Sequence, residues 1–281
     1  MSRLRIVTVT SLALLAFAGN SLLCRLALKV TNIDAASFTS IRLMAGAATL
    51  WFIVQTTRQG QVGKGNWISA AALFVYAAGF SFAYTLLNTA TGALLLFGAV
   101  QATMIGYGTW AGERLRSKQA AGLALAVIGL VALLLPGLSA PPLKASLLMI
   151  CAGIAWAFYS LRGRGTGDPT KVTAGNFLRA VPMAIALSLL MRQSFAYDTT
   201  GLCYAVVSGA VTSGIGYAIW YTAIPLLKAT SAATLQLSVP VLAALGGVIF
   251  LDEHLTWRVV GASLAILGGI ALVILKKNGA A

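Results

Sequence analysis

The stretch Ala229-Thr-Ser-Ala-Ala-Thr-Leu-Gln-Leu-Ser-Val-Pro-Val-Leu242, followed by Leu251-Asp-Glu-His-Leu-Thr256 and then by Gly261 and Gly268-Gly269, decides the fold. It reads as an apolar helix, a short polar turn and a second apolar helix. Neither helix has a polar face, so neither can lie half in water on a soluble domain. Pro240 interrupts the first, and small residues stud both. A similar arrangement runs from Ala90 to Leu135.

The rest of the chain has the same character. Of 281 residues, 59% are hydrophobic and 9% charged, against about a quarter charged in a soluble domain. Apolar runs of roughly 20 residues recur, each long enough to cross about 30 Å of hydrocarbon. Backbone groups in lipid must be satisfied within their own segment, so these runs are expected to be helices. The alternating segments of a β-barrel are not seen. Ten spans are expected, at 6–29, 35–57, 67–87, 91–111, 117–136, 143–162, 171–192, 201–223, 230–251 and 257–276. The connections are short and carry turn residues, with the pair Pro141-Pro142 at the midpoint. The run after Met1–Arg5 is too long for a cleavable leader and reads as the first span.

Basic residues set the expected orientation. With the N-terminus in the cytoplasm, 13 Lys and Arg fall in inside segments and 4 in outside ones; Arg25, Arg42 and Arg179 lie within spans. That bias predicts that both termini are cytoplasmic. It also accounts for the net charge of +14 without nucleic acid, since no basic face with interleaved aromatics appears.

The two similar regions belong to a longer repeat. Ile41-Arg42-Leu43, Tyr84-Thr85, Ala90-Thr91, Glu113-Arg-Leu, Gly122 and Gly129 recur 137 to 140 positions later, at Leu178-Arg179-Ala180, Tyr221-Thr222, Ala229-Thr230, Glu253-His-Leu, Gly261 and Gly268. Each copy holds five spans, an odd number, so the second enters the bilayer with opposite polarity. The expected architecture is all-α and integral to the membrane: ten transmembrane helices as two inverted five-helix repeats, 1–138 and 139–281, around a central cavity. Inverted repeats that meet at the midplane mark secondary transporters.

These residues resemble the EamA-type branch of the drug/metabolite transporter superfamily. The matching features are Gly112-Glu113-Arg-Leu and Asp252-Glu253-His-Leu-Thr, each followed by a Gly-x6-Gly helix, and Ser238-Val-Pro240. Within that branch the chain is similar to the amino-acid and aromatic-amino-acid exporters, through Ala155-Trp156-Ala157 on the sixth span; it departs from them at Val100-Gln101, where an aromatic and a proline are usual. The resemblance implies a basket-like exporter, in the bacterial inner membrane, that moves amino acids or related small metabolites outward by alternating access. Efflux of cationic or aromatic drugs is the alternative, ahead of exchange of nucleotide sugars or phosphate esters and of a scaffold role.

Enzyme signatures fail. The chain has one histidine, His254, and all six acids lie at or near span ends, so neither a His-Glu-x-x-His site nor a catalytic carboxylate pair can form inside the bundle. No metal or other cofactor is expected. Cys24, Cys151 and Cys203 fall in separate apolar runs and suggest no disulfide framework. A buried Asp or Glu is the usual proton carrier of a coupled transporter; none is near mid-span, so direct proton coupling is not expected.

The expected cavity lining is the set of polar and aromatic residues within spans: Asn20, Ser21, Phe80, Tyr84, Gln101, Trp156, Tyr159, Tyr217, Trp220, Tyr221, Gln236 and Ser238. Polar groups in hydrocarbon need partners and so face inward. Such a lining suits an amino acid or a cationic amphiphile. Arg42 and Arg179 are the deepest charges, read either as a substrate or gating charge or as bound to backbone carbonyls. Arg25 is expected to snorkel outward. Glu113 and Glu253 are read chiefly as turn and capping residues. Pro240 is a candidate hinge, and Trp51, Trp67, Trp110 and Trp257 form the interfacial belt. Gly122, Gly129, Gly261, Gly268 and Gly269 are expected to bring the fifth and tenth spans together.

Overall fold

The computed structural model describes residues 3–57, 63–112, 117–137, 140–163, 168–223 and 235–275. Every regular element among the described residues is helical. They are α1 (Arg3–Val30), α2 (Ala35–Thr57), α3 (Trp67–Tyr84), α4 (Thr89–Trp110), α5 (Ser117–Leu134), α6 (Leu143–Arg162), α7 (Pro169–Leu190), α8 (Thr199–Val207), α9 (Gly216–Ala223), α10 (Ser238–Leu251) and α11 (Trp257–Leu275). A π-helical segment, Ser208–Ile215, joins α8 to α9. Eight helical segments, the α8–α9 unit counted as one, are long and apolar enough to cross a membrane, and α10 and α11 are shorter apolar helices.

Helix starts follow local chemistry. The first amides of a helix have no partner within it, and a side-chain oxygen just ahead supplies one. Asp34 takes the amides of Ala36 and Ser37, Asn66 that of Ser69, Asp168 those of Thr170 and Lys171, and Asp198 that of Gly201. Pro169 occupies the first position of α7, where its missing N–H costs no bond. The third span stops at Tyr84 rather than at 87, because the amides of Leu86 and Leu87 both fold back onto the Ala83 carbonyl.

The π-helical segment is the main departure from the expected spans. It lies against α2. A side chain at Gly209 would collide with the Arg42 carbonyl, and one at Gly214 would meet Thr49. Two glycines therefore let α2 sit close against this segment. Wide turns of this kind interrupt a regular helix and are frequent at functional sites.

The close packing of α5 on α11 rests on Gly122, Gly129 and Gly269: a methyl at Gly129 would stand 2.7 Å from the Ala265 Cβ, and one at Gly269 would strike the Gly122 carbonyl. Gly261 and Gly268 face no neighbour within 4 Å and take no part in it, against expectation. Other pairings run α3 on α6, α4 on α6, α2 on α7, α3 on α7, α1 on α9, α1 on α10, α2 on α8 and α4 on α10. The core lies between these helices, and the exposed apolar side chains, Leu190, Trp110 and Trp257 among them, point outward.

Candidate substrate site

At the centre of the bundle is a charge. Arg42, about two turns into α2, is 2% exposed. Its Nε donates to Ser213 Oγ at 3.3 Å and its Nη2 to Tyr76 Oη at 3.1 Å. The guanidinium carbon lies 5.4 Å from the centre of the Tyr76 ring and 5.0 Å from that of Phe80, within range of a cation–π attraction. Nη1 is sealed from solvent and has no hydrogen-bond partner among the described residues. No carboxylate pairs with Arg42 among the described residues.

The network runs on through Tyr76. Asn20 Nδ2 donates to Tyr76 Oη at 3.3 Å, and Asn20 Oδ1 accepts from Ser208 Oγ at 2.9 Å and Thr212 Oγ1 at 3.3 Å. The Tyr217 side chain lies beside Tyr76. Asn20 and Arg42 on α1 and α2, Tyr76 on α3, and the hydroxyls of the π-helical segment thus share one buried set of bonds. Buried polar groups stay buried only when partnered, and here nearly all are.

Aromatic rings wall this network. Trp156 on α6 stands 4.8 Å from Tyr76, 5.2 Å from Tyr217 and 5.5 Å from Tyr159, centre to centre. Phe80 continues the line from Tyr76 to Tyr84. On the other side, Phe17 joins Tyr217 to Trp220, and Phe177 also packs on Tyr217. Trp156, Tyr221 and Phe17 keep part of their surface open. A second polar group adjoins the cage: Tyr159 Oη donates to Thr173 Oγ1 at 3.3 Å, with the Tyr221 hydroxyl and Asn176 beside it.

One end of the bundle is clamped. Arg25 Nε lies 3.2 Å from Glu253 Oε1, and Arg25 Nη1 donates to the carbonyls of Tyr84 at 2.8 Å and Thr85 at 3.1 Å. The second Glu253 oxygen takes the Thr89 amide at 2.7 Å. Lys29 caps the Leu251 carbonyl at 3.0 Å. Arg25 therefore turns inward, not outward to the interface: two carbonyls at the end of α3 and a carboxylate outcompete water for it. Glu253 does cap a helix, but the helix is α4 and not its own; α11 is capped by Thr256, which takes the Val259 amide. Beside this clamp is a cavity of about 230 Å³ lined by Asn88, Thr91, Pro141, Glu253 and His254 among others. Glu113 lies outside the described residues. The residue before each repeated Glu has positive φ, Gly112 at 94° and Asp252 at 51°.

Residues 143–275 match the family model described as the EamA-like transporter family. The chain is 54% identical over 278 residues, 99% of its length and 97% of the other's, to an uncharacterized protein of Pseudomonas aeruginosa. It is 32% identical over 165 residues, 55% of each chain, to the threonine/homoserine exporter RhtA of Escherichia coli K12. A probable amino-acid metabolite efflux pump of the same strain is 26% identical over 224 residues, 72% of this chain and 75% of that one.

Residues 143–275 of this chain therefore carry an EamA-like transporter domain. A crystal structure covering 99% of this chain and 100% of the other has the same fold, with a TM-score of 0.71 at 20% identity. An EamA-like transporter domain, with eight helical segments long and apolar enough to cross a membrane, implies a small-molecule substrate and a lipid surrounding.

Within this EamA-like chain, Asn20, Phe80, Trp156, Tyr159, Tyr217 and Trp220 come together in or against the cage. Tyr221 touches its Tyr159 edge. Ser21 is buried on α1, and the Tyr84 hydroxyl donates to the Thr89 carbonyl. Gln101 is buried on α4, and Gln236 and Ser238 are half-buried at the turn before α10; no bond or ring contact among the described residues ties these three to the cage. Pro240 stands in the first turn of α10, just after the break at Leu237. Arg179 donates to the Gly175 carbonyl of its own helix at 3.2 Å and lies over Trp67, so it and Arg42 share no partner.

Sequence reasoning missed Tyr76, which meets Arg42, Asn20, Phe80 and Trp156. Its signal was the spacing Tyr76, Phe80, Tyr84, one stripe at i, i+4 and i+8. It also missed Ser208, Thr212 and Ser213, whose small size hid them among glycines, and Phe17, which looks like any core residue.

Proposed function

We propose that this chain exports amino acids and related small metabolites from the cytoplasm, across a bacterial inner membrane, by alternating access. In this reading ten spans form two inverted halves, residues 1–138 and 139–281, with both termini in the cytoplasm. The observation that carries it is the central cluster: side chains from both halves meet around one buried charge, with aromatic walls and small hydroxyls.

The pattern of helix contacts supports two like halves related by a two-fold axis. Exchange each helix for its repeat counterpart and the pairings return: α3 on α6 becomes α9 on α1, α4 on α6 becomes α10 on α1, and α3 on α7 becomes α8 on α2. The pairs α2–α7, α4–α10 and α5–α11 map onto themselves. A site on such an axis can be exposed to either side by rocking one half against the other. The Arg25–Glu253 clamp ties the halves at one end, which suits a bundle closed on that side.

The printed names of the exporter and the efflux pump above favour amino acids as substrates. The cage argues against cationic drugs, because the Arg42 guanidinium at its centre repels a second cation. Exchange of phosphate esters would call for two converging basic residues, and Arg179 is engaged elsewhere. Movement without direct proton coupling is the reading we favour: no carboxylate bonds to Arg42, Tyr76 or Asn20 among the described residues. The test is counterflow of a panel of labelled amino acids into proteoliposomes. Uptake above protein-free vesicles is expected; none with any amino acid would overturn the proposal. An imposed pH gradient is expected to give no accumulation above equilibrium, and uncoupler-sensitive accumulation would remove the uncoupled mechanism.

A further inference from the structure

We infer that Arg42 is the anchor for a substrate carboxylate, so that the transporter selects small molecules bearing one free carboxylate. This rests on the export reading and adds to it the group by which substrate is recognised.

A guanidinium has five N–H donors and keeps its charge at any pH a protein meets. Arg42 cannot lower the cost of burial by losing its proton. Three features of its surroundings are on the page. Nε and Nη2 are each bonded to a neutral hydroxyl, Ser213 and Tyr76. The rings of Tyr76 and Phe80 lie against it from one side. Nη1 is sealed from solvent and has no partner among the described residues. A buried charge left without a counter-charge is strongly unfavourable, and no carboxylate pairs with Arg42 among the described residues: Glu253 pairs with Arg25, while Asp34, Asp168 and Asp198 cap helices.

Arginine holds a carboxylate through two parallel N–H donors. The unfilled Nη1 supplies donors that this end of the side chain has not committed. It lies where α2 of one half meets the π-helical segment of the other, the seam that must part if the halves rock. Empty, the closed arrangement keeps an unsatisfied charge. A carboxylate entering from an open side satisfies it, and so makes closure easier with substrate than without. One guanidinium balances one carboxylate; a phosphate dianion would leave a charge over. The rings of Trp156, Tyr217 and Tyr159 then stand beside the rest of the molecule.

The experiment compares acids with their amides on the unaltered full chain. Proteoliposomes are assayed for counterflow of labelled L-threonine and L-phenylalanine, with unlabelled competitors either as the free acids or as threoninamide and phenylalaninamide. Loss of a charge-assisted hydrogen-bond pair is expected to weaken competition by the amides about tenfold or more. Equal competition by acid and amide overturns the anchor and leaves the exporter standing. If no amino acid is transported at all, thermal stabilisation of the detergent-solubilised protein by the same pairs decides: stabilisation by acids alone supports the anchor, and stabilisation by neither or by both overturns it. Arg42→Lys, checked for folding by its melting curve, is expected to narrow the acid–amide difference; an unchanged difference counts against the anchor.

Discussion

Arg25 Nε stands 3.2 Å from Glu253 Oε1, and both side chains are at least nine-tenths out of solvent. The pair joins the end of α1 to the turn before α11, and through the Tyr84, Thr85 and Thr89 backbone it also grips the α3–α4 turn. A buried pair can contribute little net stability, yet removing one partner leaves a bare charge and costs about 3 kcal/mol or more. Glu253→Gln is therefore expected to lower the melting temperature clearly in detergent, and Arg25→Gln with Glu253→Gln to lose less than the two single changes summed. Additive losses in the double variant would mean that the two residues act separately.

Trp156 touches Tyr76, Tyr159 and Tyr217 at once. Each ring contact contributes about 0.5–1.5 kcal/mol beyond burial. Trp156→Ala is expected to slow counterflow at least about tenfold, while Trp156→Phe keeps most of it. The check is counterflow at equal protein density; full activity in the Ala variant would remove Trp156 from the site.

The α5–α11 contact separates two kinds of glycine. Gly129→Ala meets Ala265, and overpacking a tight contact costs roughly 1–3 kcal/mol. Gly261→Ala and Gly268→Ala meet nothing within 4 Å and are expected to be neutral or slightly stabilising, since alanine favours a helix. Melting curves of the three variants settle the order.

Asp198 accepts the amides of Asn32 and Gly201, and these bonds hold its carboxyl below the usual range. Asp34 does the reverse, taking the Ala196 amide, so the α1–α2 and α7–α8 loops cap each other. A carboxyl with a lowered folded pKa contributes stability above its unfolded value, about 3.9, and loses it as pH falls through the folded value. The wild-type melting temperature is expected to fall more steeply below about pH 4 than that of Asp198→Asn. Parallel curves would contradict this.

Much of the fold was legible because lipid imposes one rule on every segment. Length and apolar character alone marked α2, α6 and α7 within two residues of their ends. What was not legible depends on contacts between segments. In sequence Arg25 reads as turned outward and Arg179 as one of the deepest charges, yet the contacts reverse them. One is drawn inward by Glu253, 228 positions away, and the other rests on its own helix. Tyr76 passed for core, since its role depends on Arg42 and Asn20 arriving from other helices. The π-helical turn depends on how closely α2 approaches Gly209, which no local pattern encodes.

The central claim is that one site, walled by both halves, opens to each side of the membrane in turn. Tyr221, half-buried at the edge of the cage, is suited to report it. Tyr221→Cys, made in a chain with Cys24, Cys151 and Cys203 replaced by Ala, would be treated with a membrane-impermeant thiol reagent from the cytoplasmic face and from the outer face separately. The account predicts labelling from either face, with added amino acid shifting the balance between them. Labelling from one face only, whatever is added, would contradict it.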